Sequence, residues 1–161
     1  MSHSSEILPT IGWREWVSIP ELGISGIKAK TDTGARSSCL HTHNFEVYTC
    51  EESGIDRVRF HLHPLVKKKS LELTCDWPVH SMRAVKSSNG INEIRPFILV
   101  PLKIGDIEWP VELSLSNREG MKFRMLIGRT ALREKFLVNP AKSYLLGPSL
   151  SKSYGKKPAS V

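Results

Sequence analysis

The chain has 161 residues, 40% of them hydrophobic and 24% charged, which is typical of one globular domain with its own core. No apolar run approaches the ~20 residues that a bilayer span needs, so we expect a soluble protein with no membrane partner. The formal net charge of +7 permits an acidic partner, but the lysines cluster in runs that are usually solvated and no nucleic-acid-binding motif accompanies them, so nucleic acid is disfavoured.

The two ends of the chain lack the periodicity of folded segments. Residues 1–10 and 148–161 are rich in Ser, Lys, Gly and Pro, so we expect disordered termini around a single domain over residues 11–147. The N-terminus has no secretory signal, and the three cysteines form no CxxC pair. These features predict a cytoplasmic protein with free thiols.

Short alternating segments separated by turn residues dominate the rest of the chain, and they predict an antiparallel β-sandwich or barrel. Pro101 and Pro110 predict edge strands or bulges. Asn89 and Gly90 close the segment Ser-Ser-Asn-Gly, which is predicted to be a hairpin tip. One short helix is expected after Gly128. In chain order the predicted elements are strands over 24–31, from Ser38, 58–62, 71–75, 98–104, 107–115, 136–138 and 144–146, with the helix over 130–135.

The segment Asp32-Thr33-Gly34-Ala35 lies on a turn between two predicted strands. A carboxylate used in acid–base chemistry needs a tight turn; Gly34 lets backbone amides approach it, and the Thr33 hydroxyl can tie the turn down. A turn without chemistry is the alternative, because Asp and Gly are common turn residues. Asp32 is therefore the candidate catalytic carboxylate, supported by Thr33 and Gly34.

Two later segments resemble the retropepsins. Residues 123–129, with the short helix after them, resemble the strand that packs beside the retropepsin catalytic turn, and the tip at 87–90 lies where their flap would. More closely, the run from Lys28 to His41, together with 121–129 and 137–140, looks like the bacterial family labelled ATP-dependent zinc proteases. This resemblance covers about residues 13–146 and implies a closed, retropepsin-like barrel, all-β with one short C-terminal helix.

The resemblance also implies which residues bind substrate. They are Ala35, Arg36, Asn89, Gly90, Ile127, Gly128 and Arg129. Retroviral enzymes carry an acid where this chain has Arg36, and that acid pairs with the arginine of the later segment, so Arg129 must find another partner here. Two cations near one site favour an acidic ligand.

The aspartic mechanism uses two carboxylates, one ionised to take a proton from water and one protonated to donate to the carbonyl oxygen. The chain has one such motif, so the resemblance implies an aspartic endopeptidase that works as a homodimer with both copies of Asp32. We expect a peptide or protein-tail substrate. Some members of the family are associated with ATP-grasp glutamate ligases, which makes such a ligase a candidate partner.

Two other functions stay open. One is a non-catalytic module that binds peptides or an ATP-grasp ligase. The other is a zinc-dependent hydrolase, since Cys39, His41 and His43 alternate along one strand, as His61 and His63 do on another. The chain has no His-Glu-x-x-His helix and no phosphate-binding loop, so we expect no metal and no cofactor.

Overall fold

The computed structural model describes residues 7–86, 89–118 and 121–155. The described chain is mostly β-sheet with one short α-helix, α1 (Arg129–Leu132), and 3-10 turns at Pro20–Leu22 and Ser153–Gly155. The strands are β1 (Thr10–Gly12), β2 (Arg14–Ile19), β3 (Ile24–Asp32), β4 (Ser38–Thr42), β5 (Asn44–Thr49), β6 (Asp56–Leu62), β7 (Leu73–Pro78), β8 (Ser81–Lys86), β9 (Asn92–Ile104), β10 (Ile107–Asn117), β11 (Met125–Gly128) and β12 (Leu137–Asn139).

Six of these strands form a closed barrel in the described part of the chain. Their order is β10-β4-β11-β3-β2-β9, and the long β9–β10 hairpin closes the ring. The ring is mixed rather than antiparallel, because β11 runs parallel to β3 and β10 runs parallel to β4. β8 is added at the outer edge of β9 as an arm. The architecture confirms the predicted all-β barrel with one short helix.

The barrel interior is filled by alternate positions of its strands. In β10, Val111, Leu113 and Leu115 are buried while Glu112 between them is exposed, as the sequence pattern predicts. Complete burial of such a side chain contributes about 1.5–3 kcal/mol relative to leaving it in water. The core therefore fixes which residues of each strand face inward and which face outward.

Pro101 and Pro110 lie opposite each other in the β9–β10 hairpin. We predicted edge strands or bulges for them, yet both strands are interior members of the barrel. On its other side, β9 pairs only over residues 92–97 and at Lys103, and β10 pairs only from Leu113 onward. Each proline thus lies where its strand has no second neighbour, so the missing N–H costs no ladder hydrogen bond.

The stretch between β4 and β8 folds as a separate sheet with the order β5-β6-β7. Val58, Phe60 and Leu62 are fully buried on its inner face, as their alternation predicts. Cys75 of β7 joins the same core cluster. The exposed lysine run at 67–69 lies in the connection between β6 and β7. The stretch between β4 and β8 is therefore packed structure and not a solvated loop.

A buried carboxylate ties the two ends of the domain together. Glu15 is fully buried and accepts hydrogen bonds from the backbone N–H groups of Gly12 (2.7 Å), Leu145 (2.9 Å) and Leu146 (3.2 Å). The predicted strand over 144–146 is wrong. Tyr144 has a φ of 54°, which interrupts an extended strand, and the amides that follow it bond to this side chain instead.

The helix is shorter than predicted, and the tail beyond it has specific contacts. A φ of 64° at Glu134 is incompatible with a helix reaching residue 135.

The Tyr154 hydroxyl accepts from the Gly26 N–H (2.9 Å) and donates to the Gly26 carbonyl (2.5 Å). Burial raises the pKa of Tyr154 to about 12. Residues 148–155 thus lie against β3, and the predicted boundaries of the domain stay a prediction.

None of the helical segments in the described ranges has the length and apolar character needed to span a bilayer.

Candidate functional site

Asp32 ends β3, and the chain turns back immediately after it toward β4. The carboxylate Oδ1 accepts hydrogen bonds from the backbone N–H groups of Gly34 (3.0 Å) and Ala35 (3.2 Å). Asp32 is half-buried, and within the described residues its Oδ2 has no hydrogen-bond partner. The turn therefore fixes the direction of the carboxylate and leaves one oxygen for a water molecule or a second acid.

Thr31, rather than Thr33, anchors this turn to the barrel. The Thr31 hydroxyl donates to the Gly12 carbonyl (3.0 Å), and its N–H donates to the Trp13 carbonyl (2.9 Å). Thr33 is exposed, and its hydroxyl makes no hydrogen bond inside the described ranges. The anchoring hydrogen bond that we predicted for the Thr33 hydroxyl is thus made by Thr31, two residues earlier in the chain.

Gly128, at the end of β11, lies beside Asp32 in the parallel pair β3–β11. Its N–H donates to the Ser38 hydroxyl (2.9 Å). A Cβ at this position would come within 2.5 Å of the Ser37 carbonyl carbon and oxygen. Only glycine allows β11 to approach the Asp32 turn this closely.

The first residues of α1 hold the same turn from the other side. The N–H of Arg129 donates to the Ala35 carbonyl (2.6 Å), and the N–H of Thr130 donates to the Arg36 carbonyl (3.1 Å). The Arg129 guanidinium donates to the Thr33 carbonyl (3.0 Å). This carbonyl is the alternative partner that Arg129 was predicted to need in the absence of an acid at position 36.

A cleft of about 1000 Å³ opens between this turn and the β8 arm. Two of the residues predicted to bind substrate, Ala35 and Arg36, line it. Ile127 is fully buried in the barrel, Gly128 is also buried, and Arg129 holds the turn. Asn89 and Gly90 lie in the connection between β8 and β9, whose residues 87–88 are outside the described part of the chain. Contact of any of these residues with a substrate stays a prediction.

The cleft carries strong positive charge. Its cationic lining residues are Arg36, Arg83, Lys86, Arg95 and Arg118. Glu112 pairs with Arg83 (2.5 Å), and Glu93 pairs with Arg95 (3.0 Å). The other cations of the cleft have no carboxylate partner among the described residues. The sequence reasoning identified only Arg36, because the other four come from β8, β9 and the end of β10.

His41 lies on the floor of the cleft in a cluster that the sequence did not reveal. Its Nδ1 lies 2.7 Å from the Ser116 hydroxyl, and the Cys39 thiol lies 3.6 Å from the same hydroxyl. Arg95 Nη1 lies 3.7 Å from the Cys39 sulfur. Burial first, and then the charges of Arg118, Arg95 and Arg124, lower the pKa of His41 to about 4. The imidazole is therefore neutral at pH 7.

This pKa predicts that replacing His41 by Gln makes the protein less sensitive to acid. In the unfolded chain His41 gains a proton near its ordinary pKa of 6.5, whereas the folded protein resists until about 4. Proton uptake by the unfolded state therefore removes stability as the pH falls from 6.5 to 4. Gln cannot titrate, so the melting temperature of the variant should fall less than that of the wild type over this pH interval.

Thermal melts of wild type and variant across that pH interval provide the measurement. His80→Gln is the matched control, because the His80 side chain is 46% exposed and lies outside the cluster. If the melting temperatures of the wild type and of His41→Gln fell equally over this pH interval, that result would contradict a depressed pKa at His41.

The alternative set of zinc ligands does not converge. Cys39 Sγ and His41 Nδ1 lie 3.9 Å apart, but the His43 ring packs edge-on against His63 with the ring centroids 5.6 Å apart. Within the described ranges, no three His, Cys, Asp or Glu side chains are placed to hold a metal ion together.

Comparisons with known proteins bear on both the fold and the site. A family described as "RimB-like: Retropepsin-like aspartic endopeptidase RimB" matches residues 10–148. The crystal structure of Lpg0085 from Legionella pneumophila, a protein of unknown function (DUF785), superposes with a TM-score of 0.70 at 26% identity, over 86% of this chain and 98% of that one. The label of ATP-dependent zinc protease has no support in these matches.

Curated relatives carry a different name. Proteins called "Probable alpha-L-glutamate ligase" are 41% identical over 146 residues in Desulfotalea psychrophila and 40% identical over 153 residues in Shewanella pealeana. The matches cover 91% and 92% of this chain, but only 31% and 33% of those relatives. The chain thus spans about a third of the length of the relatives it matches.

Proposed function

The chain belongs to the RimB-like family of retropepsin-like aspartic endopeptidases, and we propose that it cleaves acidic, glutamate-rich peptides between two Asp32 carboxylates of a homodimer. The observation that carries this proposal is the Asp32 turn. One carboxylate oxygen accepts two backbone N–H bonds, and the other has no partner within the described residues. A rigid carboxylate with one available oxygen is half of an aspartic peptidase site.

The second half comes from symmetry. Two carboxyls that meet across a two-fold axis cannot both ionise easily, so the pair shares a proton. The ionised member then takes a proton from the attacking water, and the protonated member donates to the carbonyl oxygen of the peptide. One Asp32 per chain therefore suffices when two chains associate.

The charge of the cleft supports an acidic substrate. Arg36, Lys86 and Arg118 line it without carboxylate partners in the described part of the chain. Glutamate side chains of a bound peptide would supply those partners and neutralise a concentration of like charge. The names of the relatives agree with this choice, because a glutamate ligase produces glutamate-containing tails that an endopeptidase of this kind could remove.

We expect the protein to be a dimer with the Asp32 turns at its axis. Light scattering at micromolar concentration should give twice the mass of one chain. Thr33 is exposed and follows Asp32 directly, so its position can test whether the two turns meet at the axis. If they do, Thr33→Cys should form a disulfide-linked dimer under mild oxidation. Each subunit carries a formal charge of +7, so association should strengthen as salt screens their repulsion.

Ser70→Cys is the control for cross-linking, because Ser70 is also exposed but lies in the β6–β7 connection. A strictly monomeric protein, or equal cross-linking of both variants, would count against the symmetric site.

A non-catalytic module that associates with a glutamate ligase is the second candidate. It is favoured by one observation: the matched relatives are named as ligases and are about three times as long as the matched region. The same cleft would then bind an acidic tail without cutting it. The three cysteines are free thiols, which suits the cytoplasm that we propose as the location under either function.

A further inference from the structure

A second cavity, of about 500 Å³, lies on the outer face of β2 and β3. We call it the outer groove. It is bounded by Trp16 and Lys28 on the barrel, by the connection that contains Leu65 and Lys68, and by Lys122 and Phe123 ahead of β11. It shares no lining residue with the cleft beside Asp32. Any role of this groove is therefore separate from the catalytic turn.

The floor of the groove is apolar and firmly held. Trp16 is 7% exposed, and Leu65 is 8% exposed. The Phe123 ring packs edge-on against Trp13 with centroids 5.8 Å apart. The buried Arg124 donates to the carbonyls of His63 (3.1 Å) and Met121 (3.0 Å), so it joins two walls of the groove. The cavity is thus preformed and does not depend on side chains that must first be ordered.

The rim of the groove is cationic, with no acidic residue in its lining. Arg14 and Lys28 rise from the barrel strands, and Lys67, Lys68 and Lys122 face them from the loops.

The two strands beneath the groove also place like charges together, since Arg14 and Lys30 are direct cross-strand partners. Like charges in this position destabilise a sheet. Of this pair only Arg14 lines the groove, and its guanidinium stacks on the Trp13 ring (4.5 Å) and donates to the Ser143 hydroxyl (3.1 Å). An anion in the groove would offset part of the repulsion at Arg14.

The distribution of charge favours an extended anion over a compact one. A phosphate is held by donors that converge on one point, such as a helix N-terminus or an arginine fork. Here the cations stand on four separate segments around an apolar floor. Carboxylates spaced along a peptide, with one apolar side chain between them, match this arrangement.

We propose that the outer groove docks an acidic segment of a protein partner, with one apolar anchor residue on the apolar floor of the groove. β3 runs from Lys28 at the groove to Asp32, about 13 Å along the strand. The turn that follows Asp32 contributes Ala35 and Arg36 to the lining of the cleft. A partner held in the groove would lie close enough to present a flexible tail to the cleft. Docking at this site does not require that the chain be a peptidase.

Binding of a labelled peptide tests this proposal. The probe is a fluorescein-labelled synthetic peptide in which one leucine is flanked on both sides by glutamates, and its affinity is measured by anisotropy. The background is the full chain with Asp32→Asn, which prevents cleavage of the probe, and with Arg36→Gln and Lys86→Gln, which weaken its binding in the cleft. Adding Lys28→Gln and Lys122→Gln should lower the affinity about tenfold, roughly threefold for each exposed charge pair.

The matched control adds Lys103→Gln and Lys135→Gln instead, two exposed cations that line neither cavity. It should bind the probe almost as the background does, and a probe with glycine in place of leucine should bind the background more weakly. Equal affinity of the groove variant and the control would overturn the proposal. Tighter binding of single-stranded RNA than of the peptide, lost in the groove variant, would also overturn it. None of these readouts depends on cleavage, so they are independent of the proposed peptidase function.

Discussion

Asp32→Asn should abolish cleavage of a glutamate-rich peptide, with turnover lower by several orders of magnitude. Asn has nearly the size of Asp but cannot ionise, so the variant dimer has neither the general base nor the shared proton of the pair. A peptide of the same length with glutamine in place of glutamate should be the poorer substrate.

The variant should keep its fold and its dimer. The Asn side-chain oxygen can accept the same two hydrogen bonds, from Gly34 and Ala35, that hold the carboxylate now. Loss of repulsion between neighbouring acids is as apt to raise the melting temperature as to lower it. Asp106→Asn, at the exposed β9–β10 turn, is the matched control and should cleave normally. Full activity of Asp32→Asn would refute the assignment. If the wild-type protein forms a dimer and binds the peptide without cleaving it, the result would favour the non-catalytic binding module.

Much of the fold could be predicted because it follows from local patterns. The alternation in β6 and in the β9–β10 hairpin identified both the strands and the side that they bury. The parallel pairings of β3 with β11 and of β4 with β10 could not be read from residue periodicity, because they join segments far apart in the chain. The failed strand over 144–146 has the same origin. Its apolar residues fit a strand, but the buried Glu15 binds its amides.

The candidate site divides in a similar way. The resemblance to retropepsins connected Asp32 with Gly128, and the structure places these two residues side by side. The His41 cluster was missed because Ser116 reaches it only through the parallel pairing of β4 and β10. Most of the cleft's charge was missed for a related reason. Arg83 on the β8 arm and Arg95 on β9 line the same cleft only in the folded barrel, and their positions in the sequence do not reveal this.

Replacing Gly128 by Ala should damage both the fold and the Asp32 turn. The new Cβ would lie 2.5 Å from the Ser37 carbonyl and 3.0 Å from the Ala35 oxygen, and backbone atoms cannot rotate out of its way. Either β11 or the Asp32 turn must therefore move. That movement would strain the bonds from the Gly128 N–H to Ser38 (2.9 Å) and from the Arg129 N–H to Ala35 (2.6 Å). We expect a loss of about 3 kcal/mol in the free energy of unfolding.

Denaturant unfolding measures this loss, and Gly147→Ala is the matched control. A Cβ at Gly147 meets no atom within 4 Å, and its φ lies outside the left-handed region, so the control should change stability by less than about 1 kcal/mol. Activity should fall together with stability in Gly128→Ala, because the turn that moves is the one that orients Asp32. This joint loss separates a residue that positions the turn from the carboxylate itself, whose replacement by Asn should remove activity alone. Wild-type stability in Gly128→Ala would mean that β11 does not approach the turn as closely as the structure has it.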